Sequence, residues 1–91
     1  MRIRWAREAR QDRMEIFQYI AGENRGAAIA LDRRFEEAIS SLSAFPQLGK
    51  EGVVPGTREL VPHEHYRVVY EVADDAVNIL AIVHTARCWP R

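Results

Sequence analysis

The sequence has one cysteine, one lysine and no long apolar run, and each scarcity excludes a class of protein. A lone cysteine, Cys88, cannot form an intramolecular disulfide, so a reducing compartment fits this chain better than secretion. No apolar stretch approaches the roughly 20 residues that a membrane-spanning helix needs. The first twelve residues also lack the apolar core of a signal peptide. We therefore expect a cytoplasmic protein that has no membrane partner.

Net charge is the next thing the sequence lacks, because 13 arginines and lysines balance 13 acidic residues. A neutral chain is not expected to attach broadly to nucleic acid or to a membrane surface. All the cationic residues except Lys50 are arginine. The guanidinium suits bidentate binding of phosphate or carboxylate, but a GC-rich genome also encodes arginine by default. Composition leaves both explanations open.

The length and the motif content predict a small globular domain without a cofactor. Ninety-one residues, 47% of them hydrophobic and 29% charged, predict a single folded domain over 1–91 with a small core. The spacing of Gly49, Gly52 and Gly56 does not match a phosphate-binding loop. No cysteine and histidine spacing suits a metal. We expect no metal, no cofactor and no small-molecule substrate.

Hydrophobic periodicity predicts two helices in the first half of the chain. The first helix is expected from about Ala6 to Ala21, with Arg13 filling a gap in its apolar face by its aliphatic stem. Asn24 is the predicted N-cap of the second helix, which ends before Pro46. The apolar stripe of this second helix steps by three and four residues through Ala28, Leu31, Phe35, Ala38 and Leu42. So short a connection predicts an antiparallel helical hairpin.

Period-two patterns predict four strands, at 2–5, 57–61, 65–72 and 76–84, and a loop over 47–56. We expect Pro62 to end the second of these strands. Asp74 and Asp75 form the tight turn of a hairpin between the last two strands. The last strand is apolar on both faces, which is typical of an interior strand. The order β-α-α-β-β-β predicts an α+β fold, in which an antiparallel helical hairpin packs on a small, largely antiparallel sheet.

Arg67 is the first candidate site residue, since it lies mid-strand on the face opposite Tyr66. If Tyr66 packs on the helices, Arg67 projects from the open face of the sheet. An arginine there can bind a phosphate or stabilise charge that develops during RNA cleavage. The alternative is a surface ion pair of little energetic value, with Glu71 along the strand or Glu59 across the sheet.

His84 and Arg87 are the other two candidates. His84 ends the last strand with the parity of Leu80 and Ile82, and histidine can act as a general acid or base near neutral pH. A strand-end histidine more often caps or packs. Arg87 follows the strand and is placed to reach back toward Arg67, which would bring two arginines and a histidine together as an anion site.

Three other reactive side chains are weaker candidates. Cys88 has only Arg87 and His84 nearby to stabilise a thiolate, so we do not expect it to be a nucleophile. His63 and His65 flank a turn, and we interpret them as incidental.

The ordered set of motifs resembles the RelE/ParE superfamily of type II toxin–antitoxin toxins. The resemblance begins with a leading strand that ends in Trp5 and continues through AREARQDRMEIFQYIA. Its most specific part is PGTREL, then YRVVY, then ILAIVH and the closing WP. It spans nearly the whole chain and implies the same β-α-α-β-β-β fold. It also implies a growth-inhibiting toxin that a cognate antitoxin protein neutralises.

The superfamily divides by target, and the residues of this chain match its RelE branch incompletely. RelE-like toxins cleave mRNA in the ribosomal A site, whereas ParE-like toxins act on DNA gyrase. The RelE pattern implies an arginine on the third strand, which Arg67 matches, and a second cation near the end of the last strand, for which Arg87 is the candidate; both would then be catalytic. The lysines expected after the second helix are reduced to Lys50, and the expected C-terminal tyrosine is missing.

A related ribosome-dependent branch uses glutamate, arginine and histidine, which Glu51 or Glu59, Arg67 and His84 match loosely. We therefore expect a ParE-like toxin that acts on DNA gyrase or another cellular target. The first alternative is a ribosome-dependent mRNA endoribonuclease with Arg67, His84 and Arg87 as catalytic residues. The second is an inactive structural relative.

Overall fold

The computed structural model describes residues 1–90 and leaves Arg91 outside the described part of the chain. It contains two helices and five strands, which follow one another as β1 (Arg2–Trp5), α1 (Arg7–Ala21), α2 (Arg25–Ser41), β2 (Lys50–Glu51), β3 (Thr57–His63), β4 (Tyr66–Ala73) and β5 (Ala76–His84).

The strands form one sheet in the order β1-β5-β4-β3-β2. β1 runs parallel to β5, and the other neighbours are antiparallel. The predicted α+β fold is confirmed, and so is the interior position of β5. β2 was missed, because two exposed residues give no period-two pattern that could be recognised.

The helical hairpin packs on one face of the sheet, which we call the inner face, with α1 over β5 and α2 over β3. The opposite face is called the outer face. The core on the inner face contains Ala9, Leu31, Phe35, Ile39, Leu42, Val68, Tyr70, Val77, Ile79 and Ile82. Most of these residues stand at the predicted helical or strand spacing, so the local pattern places the core correctly.

Arg13 ties the two helices to the first strand. Its guanidinium binds Asp32 through Nε and Nη2, at 2.7 and 3.0 Å, and lies 3.1 Å from Glu36. It also lies 5.2 Å from the centre of the Trp5 ring. The hydrogen bond to Asp32 is the main reason that the pKa of Arg13 is raised. The predicted packing residue therefore also bridges α1 and α2 by its charge.

The sequence predicted that Pro62 ends this strand, but β3 continues past it. Leu60 pairs with Val68, and His63 pairs with Tyr66, so that Val61 and Pro62 together stand across from a single residue of β4. Pro62, which has no N–H, falls within this bulge and has no register partner, and the strand continues to His63.

β5 contains a second bulge, at Leu80. Val69 pairs with Ala81 while Tyr70 pairs with Ile79, so Leu80 is the extra residue. Beyond the bulge, the Ile82 N–H donates to the Asp12 carboxylate at 3.0 Å. Asp12 of α1 thus satisfies a backbone donor that lies beyond the part of β5 paired with β1.

The cap of α2 gives a testable prediction. The Asn24 side chain accepts a hydrogen bond from the Ala27 N–H at 3.0 Å. Asn24→Ala is expected to lower the free energy of unfolding by about 1 kcal/mol, measured by urea unfolding. Asn24→Asp keeps the cap and should unfold like the wild type. An equal loss in both variants would contradict capping as the cause.

Neither α1 nor α2 has the length and apolar character that a membrane-crossing helix requires.

Candidate functional site

Arg67 lies on the outer face of the sheet, as predicted, but that face is not open around it. Its Nη1 is 3.4 Å from Glu59 Oε1, and its Nη2 donates to the Arg87 carbonyl at 2.7 Å. The side chains of Arg67 and Glu59 are only 16% and 7% exposed. Arg67 Nε is buried and has no hydrogen-bond partner among residues 1–90. The predicted surface ion pair is therefore a largely buried one.

The segment 85–90, which we call the C-terminal segment, covers this part of the outer face. Trp89 packs against a small cluster of Val69, Ala81 and Val83. The segment is held at its start by hydrogen bonds from the Thr85 N–H and hydroxyl to the carbonyls of His65 and Glu64. Arg87 does reach Arg67, but through its backbone carbonyl. The exposed Arg87 side chain is not needed for that contact.

His84 lies on the inner face and therefore does not join Arg67. Its partner in the ladder is Tyr66, whose ring packs edge-on against Phe35 of α2. The sequence assigned one parity to His84, Leu80 and Ile82, but the bulge turns Leu80 toward the outer cluster while Ile82 stays in the inner core. The structure thus brings Arg67 and the Arg87 backbone together and leaves His84 on the other side of the sheet.

His84 instead belongs to a group of four rings, the ring cluster, formed by His63, His65, Tyr66 and His84. Each ring contacts two others, with centroid distances of 5.5 to 6.1 Å. The rings of His65 and His84 are nearly parallel, at 15°. Of the two histidines interpreted as incidental, His65 stacks on His84, and His63 contacts His65. The sequence could show that these histidines lie at strand ends or in the turn between two strands. Only the pairing register shows that their rings meet.

The loop after α2, which leads to Lys50, is fixed to the sheet by Tyr70. The Tyr70 hydroxyl donates to the Pro46 carbonyl and accepts from the Gly49 N–H, both at 2.8 Å. Arg58 Nη1 donates to the Gly49 carbonyl at 2.6 Å. Lys50 itself is exposed and pairs in register with Glu59. This places the single lysine one strand away from the Arg67 ion pair.

A groove of about 510 Å³ opens on the helical side of the molecule. Trp5, Met14 and Phe17 supply apolar side chains, and Arg10 is among the polar residues that line it. Met14 is 52% exposed, which is high for a large apolar side chain.

Comparison with solved structures shows which known fold this chain shares. A chain from the chromosomal ParDE toxin–antitoxin system of P. aeruginosa superposes with a TM-score of 0.79 at 24% identity. The match covers 92% of this chain and 95% of that one.

Sequence comparison gives the family. The family model for the ParE toxin of the type II toxin–antitoxin system, parDE, matches residues 3–89. The chain is 34% identical to a putative toxin, Y4kP, of Sinorhizobium fredii, over 99% of this chain and 94% of that protein. It is 35% identical to Toxin RelE2 of Caulobacter vibrioides, over 91% and 93% of the respective chains. The chain belongs to the ParE toxin family of type II toxin–antitoxin systems, and membership of a type II system implies an antitoxin partner.

Proposed function

We propose that this toxin inhibits bacterial growth as a ParE-like protein, by binding DNA gyrase through its surface rather than by cleaving RNA. The observation that carries the proposal is the separation of the candidate catalytic residues. Arg67 is engaged by Glu59 and the Arg87 carbonyl on the outer face, whereas His84 packs with Tyr66 on the inner face.

The chemistry of RNA cleavage explains why this separation matters. Attack by a 2′-hydroxyl needs a general base, a general acid and cations on the scissile phosphate. All of these groups must lie within hydrogen-bond reach of the reacting atoms of one bound RNA. The Arg67 side chain is 16% exposed, and its guanidinium is already bonded to Glu59 and to the Arg87 carbonyl. It is therefore poorly placed to bind a phosphate. The match to the ParE family model over residues 3–89 supports the same branch.

Two assays with the purified protein separate the proposed target from the alternative. We expect the protein to inhibit DNA supercoiling by gyrase and to leave mRNA uncut when ribosomes translate it. Arg87→Ala is the informative variant, because Arg67 contacts Arg87 only through the backbone carbonyl and the ion pair should persist.

Mapping mRNA ends by primer extension gives the contradicting outcome. Cuts at codon boundaries that disappear with Arg87→Ala would establish the RelE-like alternative. The 35% identity to Toxin RelE2 is the reason for testing that alternative. Unimpaired growth after confirmed expression would instead identify an inactive relative.

We further propose that the cognate antitoxin neutralises the toxin by docking over exposed helical and sheet surfaces. The groove beside Trp5, Met14 and Phe17 supports this, since amphipathic segments bind their partners by placing apolar side chains in such grooves. Covering Met14 should also make the complex more stable than the toxin alone, because a ligand that binds only the folded state stabilises it. Equal thermal stability of toxin and complex would argue against docking at this groove.

A further inference from the structure

The ring cluster has no role in the proposed function, yet it gathers all three histidines of the chain beside one tyrosine. Its rings come from the end of β3, the connection to β4, the first residue of β4 and the last residue of β5. It is accessible, because the His65 side chain is 58% exposed and those of His63 and His84 are partly exposed.

The hydrogen bonds around the cluster fix the direction of two imidazoles. His63 Nδ1 accepts from the His65 N–H, and His84 Nδ1 accepts from the Ala86 N–H, both at 3.1 Å. An imidazole whose Nδ1 accepts a hydrogen bond carries its proton on Nε2 in the neutral form. The cluster therefore carries two Nε2–H groups together with the π faces of its rings.

We infer that the ring cluster is a stacking site for an unpaired nucleobase of a single-stranded nucleic acid. Bases stack on aromatic side chains without strong sequence preference, because every base has a π face. The Nε2–H groups of His63 and His84 are suited to the acceptor atoms on a base edge. Only a base outside a duplex exposes its face for this contact.

The C-terminal segment supplies one exposed cation, Arg87, three residues after His84. Its N–H donates to the His84 carbonyl at 2.9 Å, and its own carbonyl accepts from Arg67 on the outer face. One arginine and a neutral chain provide little electrostatic attraction. The base, more than the phosphates, should therefore determine affinity.

The test is a titration of the purified protein with a fluorescently labelled 12-nucleotide oligoadenylate, beside an abasic oligonucleotide of equal length. We expect micromolar binding of the oligoadenylate and about tenfold weaker binding of the abasic strand. His65→Ala should weaken oligoadenylate binding about tenfold, while His65→Phe, which keeps a ring, should stay within about twofold of the wild type.

Tyr19→Ala is the matched control, since Tyr19 is an aromatic residue of α1, 79% exposed and not among the rings that the cluster comprises. Its binding should equal that of the wild type. Upfield shifts of the His65 and His84 ring protons on addition of AMP would locate the base on the cluster.

Three results would overturn the inference: no binding of oligoadenylate, equal binding of the abasic strand, or unchanged binding by His65→Ala. No gyrase or ribosome enters this titration. Its failure is therefore separate from a failure of the proposed function.

Discussion

Arg67→Met is expected to lower the free energy of unfolding by about 3 kcal/mol. The change leaves the Glu59 carboxylate, 7% exposed, without its cationic partner, and it removes the donor to the Arg87 carbonyl. An unpaired charge is costly where water cannot solvate it. Urea unfolding followed by the fluorescence of Trp5 and Trp89 measures the loss.

The double variant Glu59→Leu/Arg67→Met distinguishes a buried pair from a surface one. Replacing both charges by apolar side chains removes the unpaired carboxylate, so the double variant should recover most of the stability that Arg67→Met loses. If the change in the free energy of unfolding of the double variant equals the sum of the changes in the two single variants, the carboxylate is solvated and the ion pair contributes little.

The same pair of variants bears on function. A loss of toxicity in Arg67→Met alone has two explanations, destabilisation or loss of a catalytic arginine. In the folded double variant, a gyrase inhibitor that acts through other surfaces should remain toxic. An RNA-cleaving enzyme that requires Arg67 should not.

Gly49→Ala is expected to destabilise the protein by about 3 kcal/mol, at the upper end for overpacking. A Cβ at this position would lie 2.8 Å from the Glu59 carbonyl oxygen and from the Tyr70 ring and hydroxyl. The glycine cannot be enlarged without moving β3 or breaking the hydrogen bonds that Tyr70 makes to the loop. The shift in urea midpoint measures the cost.

Gly26→Ala is the control for this substitution. Gly26 lies in the first turn of α2, and a Cβ there meets only the Asn24 Oδ1, at 3.4 Å, an ordinary contact distance. Alanine should be neutral or stabilise the helix by about 0.5 kcal/mol. A similar loss at both glycines would show that the close approach at Gly49 is not the cause.

Much of the fold could be predicted because the signals for it are local. The stripe through Ala28, Leu31 and Phe35 has the helical period, and those residues are buried. Asn24 caps the helix that it was expected to cap, and the turn at Asp74 joins two paired strands, with Asp74 at a φ of 58°. Each of these features depends on residues within a few positions of one another.

The candidate site was predicted only in part, because it depends on pairing between distant residues. Sequence parity placed Arg67 correctly on the outer face. It did not show that the C-terminal segment covers this arginine, since the contact joins residues 20 positions apart. It also failed for Leu80, because a bulge adds one residue and reverses the parity on one side of it.

The sequence by itself therefore determined both helices and four of the five strands, which side chains are apolar enough to form the core, and which family the chain resembles. Tertiary structure decided which polar residues share a face: Arg67 with Glu59, and His84 with two other histidines. The physical reason is that side-chain direction alternates along a strand. A single bulge or a covering segment can then change a residue's neighbours without altering the hydrophobic pattern that the sequence displays.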